Sequence, residues 1–231
     1  MIPLHDDNPT ELTPFVTVAT IAACVLVFLW QLSLGPTQQL ATLAFGVIPA
    51  VLFDIRQLPT ELAVIPAELS VLTSMFLHGG WGHLLGNMLY LWIFGNNVED
   101  AMGHVRFVLF YVLCGVAAVF AQALPNPEST IPMIGASGAI SGVLGAYLLL
   151  YPHARVLVVI PLGFIFHTVR LKAGWVLGFW FVLQLINSLF AGEGPGVAWY
   201  AHLGGFVAGV MLIPLFKRRA VPLFHPERRG P

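Results

Sequence analysis

Ser137, His202, His83 and Asn87 are the side chains of this sequence whose types and spacing point to chemistry. Ser137 lies in residues 131–145, IPMIGASGAISGVLG, between Gly135 and Gly138, at the mouth of an apolar segment that runs on to Tyr151. A hydroxyl flanked by glycines has no packing purpose there. Pro132 and Gly135 favour an irregular approach, so a helix is expected to begin around Ser137 itself. The first amides of a helix lack intrahelical partners and carry partial positive charge. They are oxyanion-binding donors beside the serine oxygen.

His202 is the one histidine or charged side chain in a second apolar segment, GVAWYAHLGGFVAGVML, where Gly205 and Gly209 follow at i+3 and i+7 on the same helix face. The serine segment carries a matching stripe of Gly138, Gly142 and Gly145 beside Ser137 and Ser141, and Gly135 is expected to support the same helix packing. Small residues at this spacing let two helix backbones approach closely in lipid. Close approach is what an imidazole needs to reach a serine oxygen at about 3 Å. A third segment, FLHGGWGHLLGNMLYLW, places His83 and Asn87 at i, i+4 on one face. Both are neutral donors suited to a developing oxyanion. His78, just before that helix, reads as a loop or structural residue.

None of the eleven carboxylates falls inside the Ser137 or His202 segment. A Ser-His-Asp triad is therefore not expected, and a serine–histidine dyad remains. H-E-x-x-H is absent, and no pair of membrane aspartates exists for an aspartic mechanism. Two cysteines in apolar runs make neither a disulfide framework nor a zinc site. No metal or cofactor is expected. Glu99, next to Asp100 and near Arg106, reads as an ion-pair or cap residue.

The elements that must position these residues are membrane-spanning. Of 231 residues, 58% are hydrophobic and 9% charged, against roughly 25% charged in soluble domains. The net charge of −1 gives no electrostatic case for nucleic acid. Apolar runs at 14–34, 83–98, 107–124, 137–151, 173–190 and 198–216 predict six transmembrane helices and an all-α polytopic membrane protein. A long first loop, 35–82, is expected to be partly membrane-embedded through an interfacial segment at 40–53. Residues 156–169 read as a hairpin or re-entrant piece against the membrane surface, turning at 161–163.

Six spans with both termini cytoplasmic put nine of the ten Lys and Arg residues inside and only Arg56 outside, as the positive-inside rule requires. A seventh span at 156–169 would throw Arg170, Lys172 and the basic tail outside. The expected organisation is a short cytoplasmic tail at 1–13, a six-helix membrane domain at 14–216 and a basic cytoplasmic tail at 217–231. The opening residues have no Lys or Arg before the first apolar run and no A-x-A site, so no cleaved signal peptide is expected. Fifteen residues from Ser137 rise only about 22 Å against a core of about 30 Å. Ser137 is thus expected below the outer surface, in a wet pocket, since irregular backbone at that depth must line a cavity or be buried.

GASG around Ser137, AHLGG-x3-G around His202 and H-x3-N at His83–Asn87 together resemble the rhomboid family of intramembrane serine proteases. The resemblance extends to the six-span layout and the long first loop. It implies a Ser137 nucleophile, a His202 general base, and an oxyanion site of His83, Asn87 and the Ser137 amide. It also implies cofactor-free cleavage of transmembrane segments of other proteins near the outer bilayer face. Substrate entry past the fifth helix, under a loop at 191–197, is a further implication. The short tails are those expected of a protein in the cytoplasmic membrane of a prokaryote.

This chain departs from the family at Ser141, where some members carry an aromatic that stacks on the histidine. Imidazole orientation is then expected from Ser141, Trp199 or Tyr200. No counterpart exists for a Trp-Arg pair found in the first loop of some members. The competing readings are a catalytically silent relative that binds client helices and a small channel using His83 and His202. The first normally lacks the serine or histidine, and the second needs polar groups spread through the membrane.

Overall fold

The computed structural model describes residues 1–163, 165–190 and 197–225. Its order begins with strand β1 (Ile2–Asp6) and helix α1 (Phe15–Ser33). Short helices α2 (Gln38–Phe45), α3 (Pro49–Leu52) and α4 (Ala67–Thr73) follow, then α5 (Trp81–Tyr90), α6 (Asn96–Met102), α7 (His104–Ala123) and α8 (Ser137–Leu150). Strands β2 (Arg155–Leu162) and β3 (Ile165–Lys172) precede α9 (Ala173–Phe190) and α10 (Trp199–Phe216). The molecule is mostly helical, and α1, α7, α9 and α10 are long and apolar enough to cross a membrane.

Two segments expected to be short spans behave differently. Helical backbone continues from α5 through a π-helical stretch, Leu91–Gly95, directly into α6. It therefore extends past the expected 83–98 at both ends. The serine helix α8 has only 14 residues and is buried along almost its whole length. α7 and α10 close on it from two sides. Gly142 faces Cys114 of α7 and Gly205 of α10, while Gly145 lies against the Phe206 carbonyl. The expected glycine stripe is the contact surface.

The first loop is built from α2, α3 and α4, so the expected interfacial segment at 40–53 contains two short helices. Val47 forms an antiparallel bridge with Met133, and the Gly135 amide donates to the Ser74 carbonyl at 2.9 Å. The loop thereby holds the irregular approach to Ser137 from both sides.

Residues 156–169 fall in a hairpin. Pro161 is not in its turn but pairs with Phe166, and the reversal starts at Gly163 with φ +64°. β1 adds to the hairpin as a third strand, Ile2 opposite Val159 and Asp6 opposite Val156. The expected terminal tails, as far as residue 225, are packed on the bundle. The Arg218 amide donates to the Ala101 carbonyl, and the Phe224 and His225 amides reach Leu149 and Leu150.

A buried polar knot joins these parts at the Leu150 end of α8. Asp6 accepts hydrogen bonds from the Tyr147 hydroxyl at 2.6 Å and the Asn97 amide at 2.9 Å, and Asn8 donates to Asn97 at 2.6 Å. Glu99 is the expected cap. It accepts from the Val16 and Thr17 amides and the Thr17 hydroxyl at the first turn of α1. Its carboxylate also lies 2.6 Å from His104 Nδ1, while the nearby Arg106 donates to the Lys217 carbonyl. Asp100 takes the Glu11 and Leu12 amides and Arg218.

Candidate active site

Ser137 is the first residue of α8, following an irregular approach in which Gly135 has φ +121°. His202 sits in the first turn of α10. The helices meet so closely that a Cβ on Gly205 would overlap the Gly138 carbonyl oxygen, and one on Gly209 the Gly142 oxygen. At this separation His202 Nε2 is 2.8 Å from Ser137 Oγ.

The proton positions follow from the partners. His202 Nδ1 lies 2.8 Å from Gln184 Oε1 on α9. An amide oxygen can only accept, so Nδ1 carries the ring proton. Nε2 is then a free lone pair and accepts from the Ser137 hydroxyl. Of the groups expected to orient the ring, Ser141 does not: its hydroxyl donates to the Ser137 carbonyl at 2.7 Å. Trp199 stands edge-on to the imidazole, as expected of an aromatic there, and Trp180 lies on another side, both at 6.0 Å between centroids. No ring contact links Tyr200 to His202 among the described residues.

His83 and Asn87 project from α5 toward the same region. The Gly79 amide donates to His83 Nδ1 at 3.3 Å, which leaves the proton on Nε2. A Cβ placed on Gly135 would lie 2.7 Å from that Nε2 and 3.8 Å from Asn87 Nδ2. Gly135 is therefore not part of the helix-packing stripe with Gly138, Gly142, Gly205 and Gly209, as the sequence had suggested. It clears space for the His83 ring. Asn87 Nδ2 is buried without a hydrogen-bond partner among the described residues. A donor left in this state costs about 1–3 kcal/mol unless something accepts from it. His78 is a structural residue: fully buried, with its backbone amide on Gln31 Oε1 and its ring against the Phe76 carbonyl.

Ser137, His202, His83 and Asn87 all line one cavity of about 1100 Å³. Trp180, Trp199, Gln122 and Ile131 complete parts of its wall. The arrangement holds a hydroxyl, a base and two neutral donors around one space, which is the requirement for acyl transfer. The loop at 191–197 lies outside the described residues except for Val197.

Two residues escaped the sequence reading. Gln184 carries no ionisable group. Its signal was available: it shares a helix face with Leu177 and Ser188 at i−7 and i+4, and Gln184, Asn187 and Ser188 form a polar cluster in a segment that is apolar elsewhere. Gln122 accepts from the Ala201 amide at 3.2 Å and so occupies one of the orphan donors at the start of α10.

The model of the Rhomboid domain matches residues 67–219. The chain is 31% identical to the mitochondrial Rhomboid protein 1 of Saccharomyces cerevisiae over 156 residues, 64% of this chain and 41% of that protein. It is 30% identical to the chloroplastic Rhomboid-like protein 11 of Arabidopsis thaliana over 164 residues, 66% of this chain and 54% of that one. It is 33% identical to the Rhomboid protease GluP of Bacillus subtilis over 158 residues, 63% of this chain and 30% of the other. The match thus spans about half or less of these relatives. With two thirds of its length under one domain model, and that part containing Ser137, His202, His83 and Asn87, the chain belongs to the rhomboid family.

Proposed function

We propose that this protein is an intramembrane serine endopeptidase that cleaves transmembrane segments of other membrane proteins through a Ser137–His202 dyad. The carrying observation is the 2.8 Å contact between His202 Nε2 and Ser137 Oγ at the wall of a cavity. His202 takes the hydroxyl proton as Oγ attacks the substrate carbonyl carbon. The resulting oxyanion is held by His83 Nε2–H, Asn87 Nδ2–H and the Ser137 amide, where each donor is typically worth about 10²–10³ in rate. The imidazolium then protonates the departing amine, leaving an ester on Ser137. Water attacks that ester with His202 again as base, releasing the new carboxylate and restoring the hydroxyl.

The membrane arrangement in this reading has six spans, the helix from Trp81 to Met102 and the short α8 joining the four long ones. Residues 14–216 form the protease domain, with cytoplasmic segments at 1–13 and 217–231 and the dyad toward the outer face. The cytoplasmic membrane of a prokaryote is the proposed location, and segments weakened by glycine or other poor helix formers are the preferred substrates.

The test is cleavage of a reporter membrane protein in liposomes, with mass spectrometry of the products. The wild type should cut it, and Ser137→Ala should abolish cutting without changing fold or yield. A serine-directed fluorophosphonate should label the wild type but neither Ser137→Ala nor His202→Ala. Cleavage retained in Ser137→Ala would reject the dyad, and a wild type that neither cuts nor labels would favour a silent client-binding relative.

A further inference from the structure

α9 is anchored unevenly. Its buried residues at the hairpin end are Ala173, Val176 and Leu177, all apolar and packed at the base of the bundle. Beyond Leu177 the buried positions are Gln184 and Ser188, while Leu183, Leu185, Ile186 and Leu189 are exposed. Ser188 turns back on its own helix, donating to the Leu185 carbonyl. Among the described residues the second half of α9 meets α10 through aromatic rings and one hydrogen bond. Trp180 and Phe181 stand against Phe206 at centroid distances of 6.1 and 4.6 Å, and Trp180 also lies 6.0 Å from the His202 ring. The hydrogen bond is Gln184–His202.

That bond decides which imidazole nitrogen faces Ser137. Without an acceptor at Nδ1, the proton can move to Nε2 and the ring can rotate, and either change removes the lone pair from the serine hydroxyl. A glutamine supplies the acceptor without a charge.

We propose that Gln184 is a positioning residue for His202, and that it makes the dyad competent only while the second half of α9 is docked against α10. The inference rests on the protease reading above. Outward displacement of α9 widens the cavity and, in the same motion, withdraws the acceptor that fixes the base. Access and reactivity are thus opposed, and hydrolysis waits for α9 to return over a bound chain. The other titratable groups facing the cavity are His83 on α5, Tyr90 at the end of α5 and Tyr200 on α10.

The experiment measures fluorophosphonate labelling of Ser137 and reporter cleavage against pH, in liposomes, for Gln184→Leu, Gln184→Glu, Phe181→Ala and the double variant Phe181→Ala/Gln184→Leu. Gln184→Leu should lower kcat about 10–100-fold with KM little changed, part of the 10²–10⁴ that a positioned base contributes. Gln184→Glu restores the acceptor and adds a carboxylate that favours the imidazolium. It should recover cleavage with the acid limb of the profile displaced to higher pH. Phe181→Ala should slow labelling in the wild-type background and have no further effect on Gln184→Leu, because docking acts through the amide.

Full activity in Gln184→Leu with an unmoved profile overturns the positioning role, and additive effects in the double variant overturn the coupling. A Gln184→Leu protein that fails to fold leaves the displaced profile of Gln184→Glu as the deciding measurement, an unmoved limb refuting the proposal. Cleavage by Ser137→Ala would instead strike the protease reading itself.

Discussion

Gly205 of α10 faces the carbonyl oxygen of Gly138 on α8 with no room between them for a methyl group. One turn further along, Gly209 stands in the same relation to Gly142. These contacts set the helix separation at which Ser137 and His202 touch. Gly205→Ala must therefore push backbone against backbone, since no flexible side chain can give way. Overpacking of this kind costs typically about 1–3 kcal/mol. The expected result is an earlier unfolding midpoint in detergent titration, together with slower fluorophosphonate labelling. An unchanged midpoint with normal labelling would mean the helices tolerate greater separation.

In the proposed mechanism Asn87 separates binding from chemistry. Its Nδ2 is buried and unpartnered among the described residues, so truncation leaves no stranded acceptor behind. Asn87→Ala should lower kcat by about 10²–10³ with KM nearly constant and should not reduce thermal stability. A change confined to KM would place Asn87 in substrate binding instead.

Glu99 tests how the far end of the bundle is secured. Its carboxylate is fully buried and satisfies two amides and a hydroxyl of α1 as well as the His104 ring. Glu99→Ala strands all of these at once. The expected loss is on the order of 3 kcal/mol or more, read as a lower midpoint and as protease sensitivity within 1–33. Equal stability would mean that water replaces the carboxylate.

Asp6 provides the pH dependence. Burial raises its carboxyl to about 6, against the opposing hydrogen bond from Tyr147. The folded state thus holds a proton that the unfolded chain, with its ordinary carboxylate, has already lost. Stability from this group is fully present below about pH 4 and is lost as pH rises through about 6, by on the order of 2–3 kcal/mol. Unfolding midpoints measured from pH 4 to pH 8 should fall through that window and then level. Asp6→Asn should flatten that part of the curve, and an unflattened curve would assign the dependence elsewhere.

The meeting of Ser137 and His202 was legible because an isolated polar group in an apolar segment has few structural explanations, and Ser137, His202, His83 and Asn87 all stood out in that way. The glycine stripe was legible for a related reason: residues without side chains at helical spacing mark close approach. Gln184 was not, since a neutral amide in α9 announces no chemistry until its partner on α10 is seen. The continuation of the helix past residue 98, through Glu99 and Asp100, was also hidden. Those residues look solvent-facing in sequence, and their partners lie at residues 11–17 and at Arg218, far away along the chain. β1 was missed because a five-residue strand containing Pro3 has no signal of its own and acquires one only from the hairpin it joins.

That strand has a bearing on how the protein is made. Ile2 pairs with Val159, so the ribosome must add roughly 150 residues before the partner edge exists. At about 5–20 residues per second this is an interval of roughly 8–30 s. During it the backbone of residues 2–6 has open hydrogen-bonding groups, and Asp6 has no Tyr147 to meet. Assembly therefore finishes by returning to a segment translated long before, which is among the last to settle.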